Sequence, residues 1–335
     1  MATVKTKNKS VAYTTVRWCC MTDFLLSEGL CEMISSLPKP RLMYRKGMEV
    51  KGFFRPYMSF EEYTEAEIFQ DTGDSFTVKA RFSSMLGEKG SADTIRNIKG
   101  FAVRFFTSKG KCDLICQSLP VYLINDGQKF FDMAKGFTKE ELFDGINDER
   151  LWEFAVKNPE SINCILRMFS NRGLIDSYIS TIWYSVNTYV WENAKGEKFL
   201  VRYRWNPLKQ RKRRTDRIFA EFMAGFDPDI AGDELKEAVS EGNFPAYELS
   251  VQIADHRLAS HPDYLKCTAD WNENTIPSVK AGILKITDAE ADREKDISFS
   301  PDNTIEGMYI YGSGISNMMG HAHKIGNMIR NGRER

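Results

Sequence analysis

Short apolar runs separated by glycine and polar turns fill the segment from about residue 50 to residue 126. The runs at 76–82, 100–107 and 119–125 are rich in β-branched and aromatic residues, as β-strands are. Strand-sized runs at such close spacing predict an antiparallel sheet or barrel.

The pattern changes at residue 128, where apolar residues recur at helical spacing as far as residue 185. Strands then return, beginning with a hairpin over 184–205 that turns at Asn193–Gly196. The pattern predicts three further elements, a helix at 233–243 and strands at 246–254 and 281–288.

Residues 1–40 form a predicted N-terminal arm with one helical piece, which begins after Asp23 and ends before Pro38. No repeat, low-complexity tract or Pro/Gly/Ser-rich linker divides the rest of the chain. The sequence therefore predicts a single α+β domain over residues 41–335, with a β core and helical insertions.

Composition excludes two broad classes of protein. The 335 residues include 42% hydrophobic and 27% charged ones, which is a globular balance and not that of a disordered chain. Lys and Arg number 46 against 46 Asp and Glu, and zero net charge argues against a general nucleic-acid binder. The basic run at 209–217 is typical of a solvated loop, and an anion or membrane-surface patch is the second interpretation.

Targeting and cysteine signals point to the cytoplasm. No run approaches the ~20 apolar residues of a membrane-spanning helix, and the first twenty residues lack the apolar core of a secretory signal. Seven cysteines without a regular framework favour reduced thiols. Cys112 and Cys116 lack a second pair at zinc-site spacing, so we expect no structural zinc.

One stretch carries a family resemblance. The chain from Arg81 to Asp126 reads RFSSMLGEKGSADTIRNIKGFAVRFFTSKGKCDLICQSLPVYLIND. It resembles the catalase family, whose motifs run in the same order from RFS through SADT and RGFAV to DLV and P-hydrophobic-IRD. Further similar segments follow in family order, at 151–178, 244–253, 262–271, 277–286 and 300–307.

The resemblance extends from about Arg41 to Gly320 and implies a fold and a cofactor. The fold would be an eight-stranded antiparallel β-barrel with helical insertions and a buried haem b. It also implies a homo-oligomer, either a dimer or a tetramer, acting on a small molecule.

The distal side of the implied haem site departs from the family at its histidine. The family's H-A-K-G motif corresponds to Tyr44-Arg45-Lys46-Gly47, so Tyr44 replaces the distal histidine. A second register makes Glu49 the distal residue. We favour Tyr44, because Arg41 then stands three residues before it, where the family has a haem-propionate arginine. A phenol can donate a hydrogen bond but is a poor base at neutral pH.

Four more residues take distal or haem-contacting roles by resemblance. Arg81 and Ser83 match the RFS motif, in which the arginine meets a propionate and the serine bonds the distal side chain. Phe154 matches the phenylalanine over the distal haem face. The family's distal asparagine would fall near Glu140, where this chain has no asparagine.

The proximal iron ligand of the family is a tyrosine, and the chain offers Tyr309 and Tyr311. In the family this tyrosine is followed by P-D-T-x-R-H-R-L-G, so the glycine of that motif stands nine residues after the ligand. If Gly320 is that glycine, the ligand is Tyr311. The arginine that accompanies the family's ligand has become Gly307 or Met308, and a later propionate arginine is replaced by Met318. Both tyrosines could instead be ordinary packing residues.

Two functions follow from this set of residues. The first is a haem-dependent enzyme that converts organic or fatty-acid hydroperoxides, or performs peroxidase or oxygenase chemistry, in place of fast hydrogen peroxide dismutation. The alternative is a non-catalytic relative, with or without haem, that serves as a carrier, sensor or structural protein. An ordinary catalase is the least favoured function, because the distal base is missing.

Overall fold

The computed structural model describes residues 43–70, 73–87, 90–126, 129–130, 133, 148–209, 215–289, 297 and 299–311. These residues contain ten β-strands and four α-helices. The strands are β1 Gly47–Pro56, β2 Phe76–Ser84, β3 Lys99–Thr107, β4 Gly110–Gln117, β5 Trp183–Tyr184, β6 Tyr189–Glu192, β7 Lys198–Pro207, β8 Ala246–Asp255, β9 Ser278–Asp288 and β10 Met308–Ile310. The helices are α1 Asp148–Lys157, α2 Ile162–Phe169, α3 Arg217–Phe226 and α4 Ile230–Ser240.

Eight of the strands close into an antiparallel barrel. The sheet runs in the order β7-β5-β4-β3-β2-β1-β9-β8, and pairing of β7 with β8 joins its two ends. β6 and β10 extend from β7 as a side ribbon. Closure satisfies the backbone groups that an open sheet would leave at its edges, so the predicted α+β barrel is confirmed.

Aromatic side chains fill the barrel. Phe82 stacks on Phe101 with ring centroids 4.5 Å apart, and Phe54 meets Phe105 edge to face at 5.2 Å. All four rings are fully buried. Because the interior is packed with side chains, the outer face of the barrel wall is the surface left to build a site.

Most of the predicted elements are confirmed. The hairpin is formed by β6 and β7, and its turn is closed by a hydrogen bond from the Asn193 amide to the Glu197 carbonyl, 3.1 Å long. Gly196 adopts a φ of 79° in this turn, a conformation that glycine takes without a steric penalty. The helix predicted at 233–243 is α4, which starts earlier, at Ile230.

The predicted strand at 119–125 is wrong, because this apolar run is buried in an irregular conformation. Its carbonyl groups are satisfied by side chains instead of a neighbouring strand. Gln117 Nε2 donates to the carbonyls of Leu119 and Val121, at 3.1 and 2.8 Å. Cys267 Sγ lies 2.9 Å from the Ile124 carbonyl. Apolar composition predicted the burial of this run but not its backbone pairing.

Some elements lie outside the predicted set or outside the described residues. Helix α3 was not predicted, and helix α2 ends at Phe169, well short of the helical pattern that continues toward residue 185. The predicted N-terminal arm and most of residues 128–147 lie outside the described residues. Among the helices that the structure describes, none is long and apolar enough to cross a membrane.

Lys99 is fully buried at the start of β3 and gives a testable pH dependence. Its ammonium group lies 3.0 Å from Ser84 Oγ and 3.3 Å from the Ile95 carbonyl. Burial lowers the pKa of Lys99 from 10.5 to about 7; the Asp93 carboxylate acts in the opposite direction, and the Lys46 cation adds to the lowering. Between pH 7 and 10.5 the unfolded chain therefore binds more protons at this residue than the folded chain does.

We expect this difference to make the free energy of unfolding rise with pH across that window in the parent. The rise should be smaller in Lys99→Met, whereas Lys79→Met, with its half-buried lysine on β2, should keep the parental slope. Urea unfolding at about pH 6.5, 8 and 9.5 checks this. Equal slopes in the parent and Lys99→Met would show that Lys99 has an ordinary pKa.

Candidate active site

Tyr44 is held in a strained turn directly before β1. Its φ of 58° is left-handed, the only such value for a non-glycine residue among those described, and this conformation costs about 1–3 kcal/mol. The Tyr44 amide donates to the Met85 carbonyl at 3.0 Å. Arg81 holds the other side of the turn, with Nη1 2.9 Å from the Tyr44 carbonyl and Nη2 3.2 Å from the Arg45 carbonyl. The turn is therefore fixed on both sides by β2 and the residue that follows it.

The outer face of three barrel strands forms the wall beside Tyr44. Antiparallel pairing aligns Ser83, Gly100 and Gln117 in one row, and Arg81, Ala102 and Ile115 in the next. Residues in these rows are two apart along each strand and so share a face of the sheet. Sheet register therefore places Arg81 and Ser83, which were predicted from sequence, beside Gln117, which was not.

Gly100 leaves room for the Tyr44 ring. A Cβ at Gly100 would lie 2.9 Å from Tyr44 Cε1 and 2.9 Å from Ser83 Oγ, which is closer than side chains pack. The phenol ring thus lies directly on the backbone of β3, with the serine hydroxyl alongside. A hydrogen bond between Ser83 and Tyr44 stays a prediction.

A cavity of about 90 Å³ opens at this wall. Its lining is largely apolar, with polar groups from Tyr44, Ser83 and Gln117 among others. The lining residues are Tyr44, Arg81, Ser83, Gly100, Phe101, Ala102, Ile115, Cys116, Gln117, Tyr122, Val186, Asn187 and Phe299.

Gln117 brings a carboxamide to the cavity that the sequence did not lead us to expect. The resemblance predicted an acidic residue, Glu140, in place of the family's asparagine, and Glu140 lies outside the described residues. Gln117 instead lines the cavity from the last position of β4. Matching polar residues across β2, β3 and β4 would have found it, but β4 was not predicted and the sequence alone leaves the strand register open.

Two phenols line the cavity, and both remain protonated at neutral pH. Burial raises the pKa of Tyr44 well above its usual value, with a smaller contribution from Cys164. Burial also raises the pKa of Tyr122, followed by contributions from Tyr44 and the thiols of Cys267 and Cys164. Each phenol is therefore a hydrogen-bond donor and neither is a base.

Phe154, which the resemblance assigns to the distal haem face, belongs to the same apolar cluster as Tyr44. It is half-buried on α1 and packs, together with Met43, Tyr44 and Phe169, against a cluster of buried apolar residues outside the barrel. Its place over a haem stays a prediction. Arg41 lies outside the described residues.

Glu49, the alternative distal residue, is placed elsewhere. It belongs to β1, and its Oε1 accepts a hydrogen bond of 2.7 Å from the Ile297 amide. Glu49 is not among the residues that line the cavity, so the geometry favours the register with Tyr44.

The two proximal candidates lie away from the cavity. Met308 and Ile310 of β10 pack on the barrel core, so the alternation of the strand turns Tyr309 and Tyr311 to the opposite face. Tyr309 lies 3.2 Å from Glu192 Oε2, and the Tyr311 ring lies 6.2 Å from the His256 ring. The structure therefore does not bring Tyr311 and Tyr44 to one site, and its role as iron ligand stays a prediction.

Comparison with known proteins identifies the family. The family model described as Catalase matches residues 2–312. The chain belongs to the catalase family. It is 33% identical to a catalase of Methanosarcina barkeri over 296 residues, 87% of this chain and 58% of that protein. It is 31% identical to catalase-2 of Bacillus subtilis over 298 residues, 86% of this chain and 43% of that protein.

Solved structures agree on the catalase fold. A bacterial catalase has a TM-score of 0.79 at 24% identity and is matched over 97% of this chain and 64% of its own. A fungal catalase has a TM-score of 0.77 at 24% identity, over 89% of this chain and 60% of its own. The chain spans about half the length of the curated catalases that it matches.

The family implies a haem oxidoreductase, and the described residues fit a haem on one side only. Tyr44 and Ser83 lie together at Gly100, whereas Phe154 is not among the residues that line the cavity. The cavity of about 90 Å³ is nevertheless far below the roughly 300–1,000 Å³ of ordinary ligand pockets. Tyr311 is not among the residues that line this cavity, and its role as iron ligand stays a prediction.

Because Gly100 contacts the Tyr44 ring, adding one methyl group at Gly100 should destabilise the protein. Gly100→Ala should lower the free energy of unfolding by about 1–3 kcal/mol, because the ring and the serine must move. Gly225→Ala is the control, since a Cβ on that residue of α3 meets no atom within 4 Å and should stabilise the helix by roughly 0.5–1 kcal/mol. Chemical unfolding of both variants measures this, and a neutral Gly100→Ala would mean that the ring does not lie on β3.

Proposed function

We propose that this chain is a haem-dependent oxidoreductase of the catalase family that acts on organic hydroperoxides and dismutates hydrogen peroxide only slowly. The observation that carries the proposal is Tyr44, a half-buried and protonated phenol that lines the cavity where the resemblance expects the distal histidine. The haem-enzyme part of the proposal is supported by a family whose members are named catalases. The cofactor in this proposal is haem b. The product is either that of a peroxidase or that of a hydroperoxide isomerase or lyase. A cytoplasmic location and a homo-oligomeric state remain predictions.

The distal residues explain the proposed preference against hydrogen peroxide. Dismutation needs a group that takes a proton from one peroxide oxygen and returns it to the other, a role that contributes about 10²–10⁴-fold. Tyr44 cannot take that proton at neutral pH, because the phenol already holds its own proton and burial raises its pKa further. It can still donate a hydrogen bond to a peroxide oxygen and so orient the molecule.

The lining of the cavity favours an organic substrate. Ile115, Val186 and Phe299 present apolar surface there, which an alkyl group can cover and hydrogen peroxide cannot. Haem b, when bound, supplies a redox-active iron that can cleave the weak O–O bond. The protein groups at the cavity orient the hydroperoxide and exclude water.

The exchange of Tyr44 for histidine tests this proposal. In haem-loaded protein, Tyr44→His should raise hydrogen peroxide dismutation by about 10²-fold or more, because it restores a base near neutral pH. Tyr44→Phe is the matched control, which keeps the ring on Gly100 but removes the donor, and it should lower hydroperoxide turnover without raising dismutation. Oxygen release and hydroperoxide consumption measure the two reactions. Fast dismutation by the parent, or a Tyr44→His protein as slow as the parent, would contradict the proposal.

A second candidate function is a haem-less relative with a binding or structural role. Two observations favour it, the small volume of the cavity and the position of Tyr311 outside it. An absorption spectrum after expression with haem supply separates the two functions. A Soret band supports the haem enzyme, and its absence after reconstitution supports the haem-less relative.

The same spectrum tests the proximal residue. If Tyr311 binds iron, Tyr311→Phe should remove the haem or change its charge-transfer bands, whereas Tyr309→Phe should leave them unchanged. An unchanged spectrum in Tyr311→Phe would show that the ligand is another residue.

A further inference from the structure

Tyr122 is a buried phenol whose hydroxyl has no hydrogen-bond partner among the residues that the structure describes. The rest of the residue is firmly placed. Its amide donates to the Cys267 carbonyl at 2.7 Å, and its ring stacks against Phe130 with centroids 6.5 Å apart. Only 6% of the residue is exposed, and it lines the cavity beside Tyr44. An unpartnered hydroxyl at such a site costs stability, and a ligand in the cavity would remove that cost.

The other polar groups of the cavity define which ligand would fit. Both N–H groups of the Gln117 amide are used by the carbonyls of Leu119 and Val121, so this amide can offer the cavity only its carbonyl oxygen. The phenols of Tyr44 and Tyr122 are protonated and can each donate. These three groups therefore present two donors and one acceptor on a largely apolar wall, with Ser83, Asn187 and Arg81 also in the lining.

A hydroperoxide head has the complementary set of groups. Its two adjacent oxygens accept hydrogen bonds and its O–H donates one. The cavity of about 90 Å³ is small, and it accommodates the O–O–H group with a short alkyl chain. A bulky aromatic hydroperoxide would not be enclosed.

We propose that Tyr122 is a second peroxide-binding residue, which holds the O–O–H head of a small alkyl hydroperoxide together with Tyr44 and Gln117. The nature of the ligand rests on the proposed function, whereas the existence of a small polar site at Tyr122 does not. This phenol takes the hydrogen-bonding role for which the resemblance led us to expect a residue near Glu140.

Tyr122→Phe tests the assignment, with Tyr63→Phe as the control. Tyr63 is a half-buried phenol whose ring packs against that of Phe199, with centroids 5.1 Å apart. It does not line the cavity. Because Tyr122→Phe removes an unpartnered hydroxyl, its melting temperature should equal or exceed that of the parent. In haem-loaded protein the KM for ethyl hydroperoxide should rise about tenfold, and the parental preference for ethyl over cumene hydroperoxide should shrink.

Methoxyamine provides a readout that does not depend on turnover, because it has the shape of methyl hydroperoxide without its oxidising power. It should raise the melting temperature of the parent and of Tyr63→Phe, but not that of Tyr122→Phe. Equal shifts in all three proteins, or no shift in any, would mean that the cavity holds only water and would overturn the proposal. A lower melting temperature of Tyr122→Phe would also overturn it, since the hydroxyl would then have a partner.

Failure of the proposed function gives a different result. A parent with no Soret band and no hydroperoxide turnover, but with protection by methoxyamine that Tyr122→Phe abolishes, would refute the haem enzyme and retain the small-ligand site.

Discussion

The candidate site depends on the hydrogen bonds between the Arg81 guanidinium and the carbonyls of Tyr44 and Arg45. Arg81 is only 5% exposed, so its charge must be satisfied by groups within the protein. The carbonyls of the turn provide this, and in return the turn is held in a left-handed conformation that a tyrosine rarely adopts. An arginine that the resemblance assigns to a cofactor thus also builds the site.

Lys46, in the same Tyr44-Arg45-Lys46-Gly47 segment, connects the turn to helix α4. Lys46 lies 2.9 Å from Asp93, whose other carboxylate oxygen accepts hydrogen bonds from the amides of Ala231 and Gly232 in the first turn of α4. A carboxylate is favourable at that end of a helix. The Tyr44 turn is consequently fixed to the barrel through Arg81 and to α4 through Lys46, and the Tyr44 ring has little freedom to leave Gly100.

A pocket built from phenols favours different chemistry from one built around imidazole. Desolvation raises the pKa of Tyr44 and of Tyr122, so both stay protonated and can orient an oxygen substrate without removing its proton. Among the described residues the Tyr122 hydroxyl has no hydrogen-bond partner, so a ligand in the cavity would supply one. Both features support the proposed preference for a substrate other than hydrogen peroxide.

The sequence by itself determined the α+β class, most strands of the barrel and the motif residues Tyr44, Arg81 and Ser83, because these depend on local patterns and on contiguous motifs. Tertiary structure decided the rest. Gln117 reaches the cavity through strand register, and the run at 119–125 is irregular because side chains satisfy its carbonyls. Tyr311 lies away from the cavity because strand alternation turns it outward. Register and alternation join residues far apart in the chain, and such pairings leave no local signal.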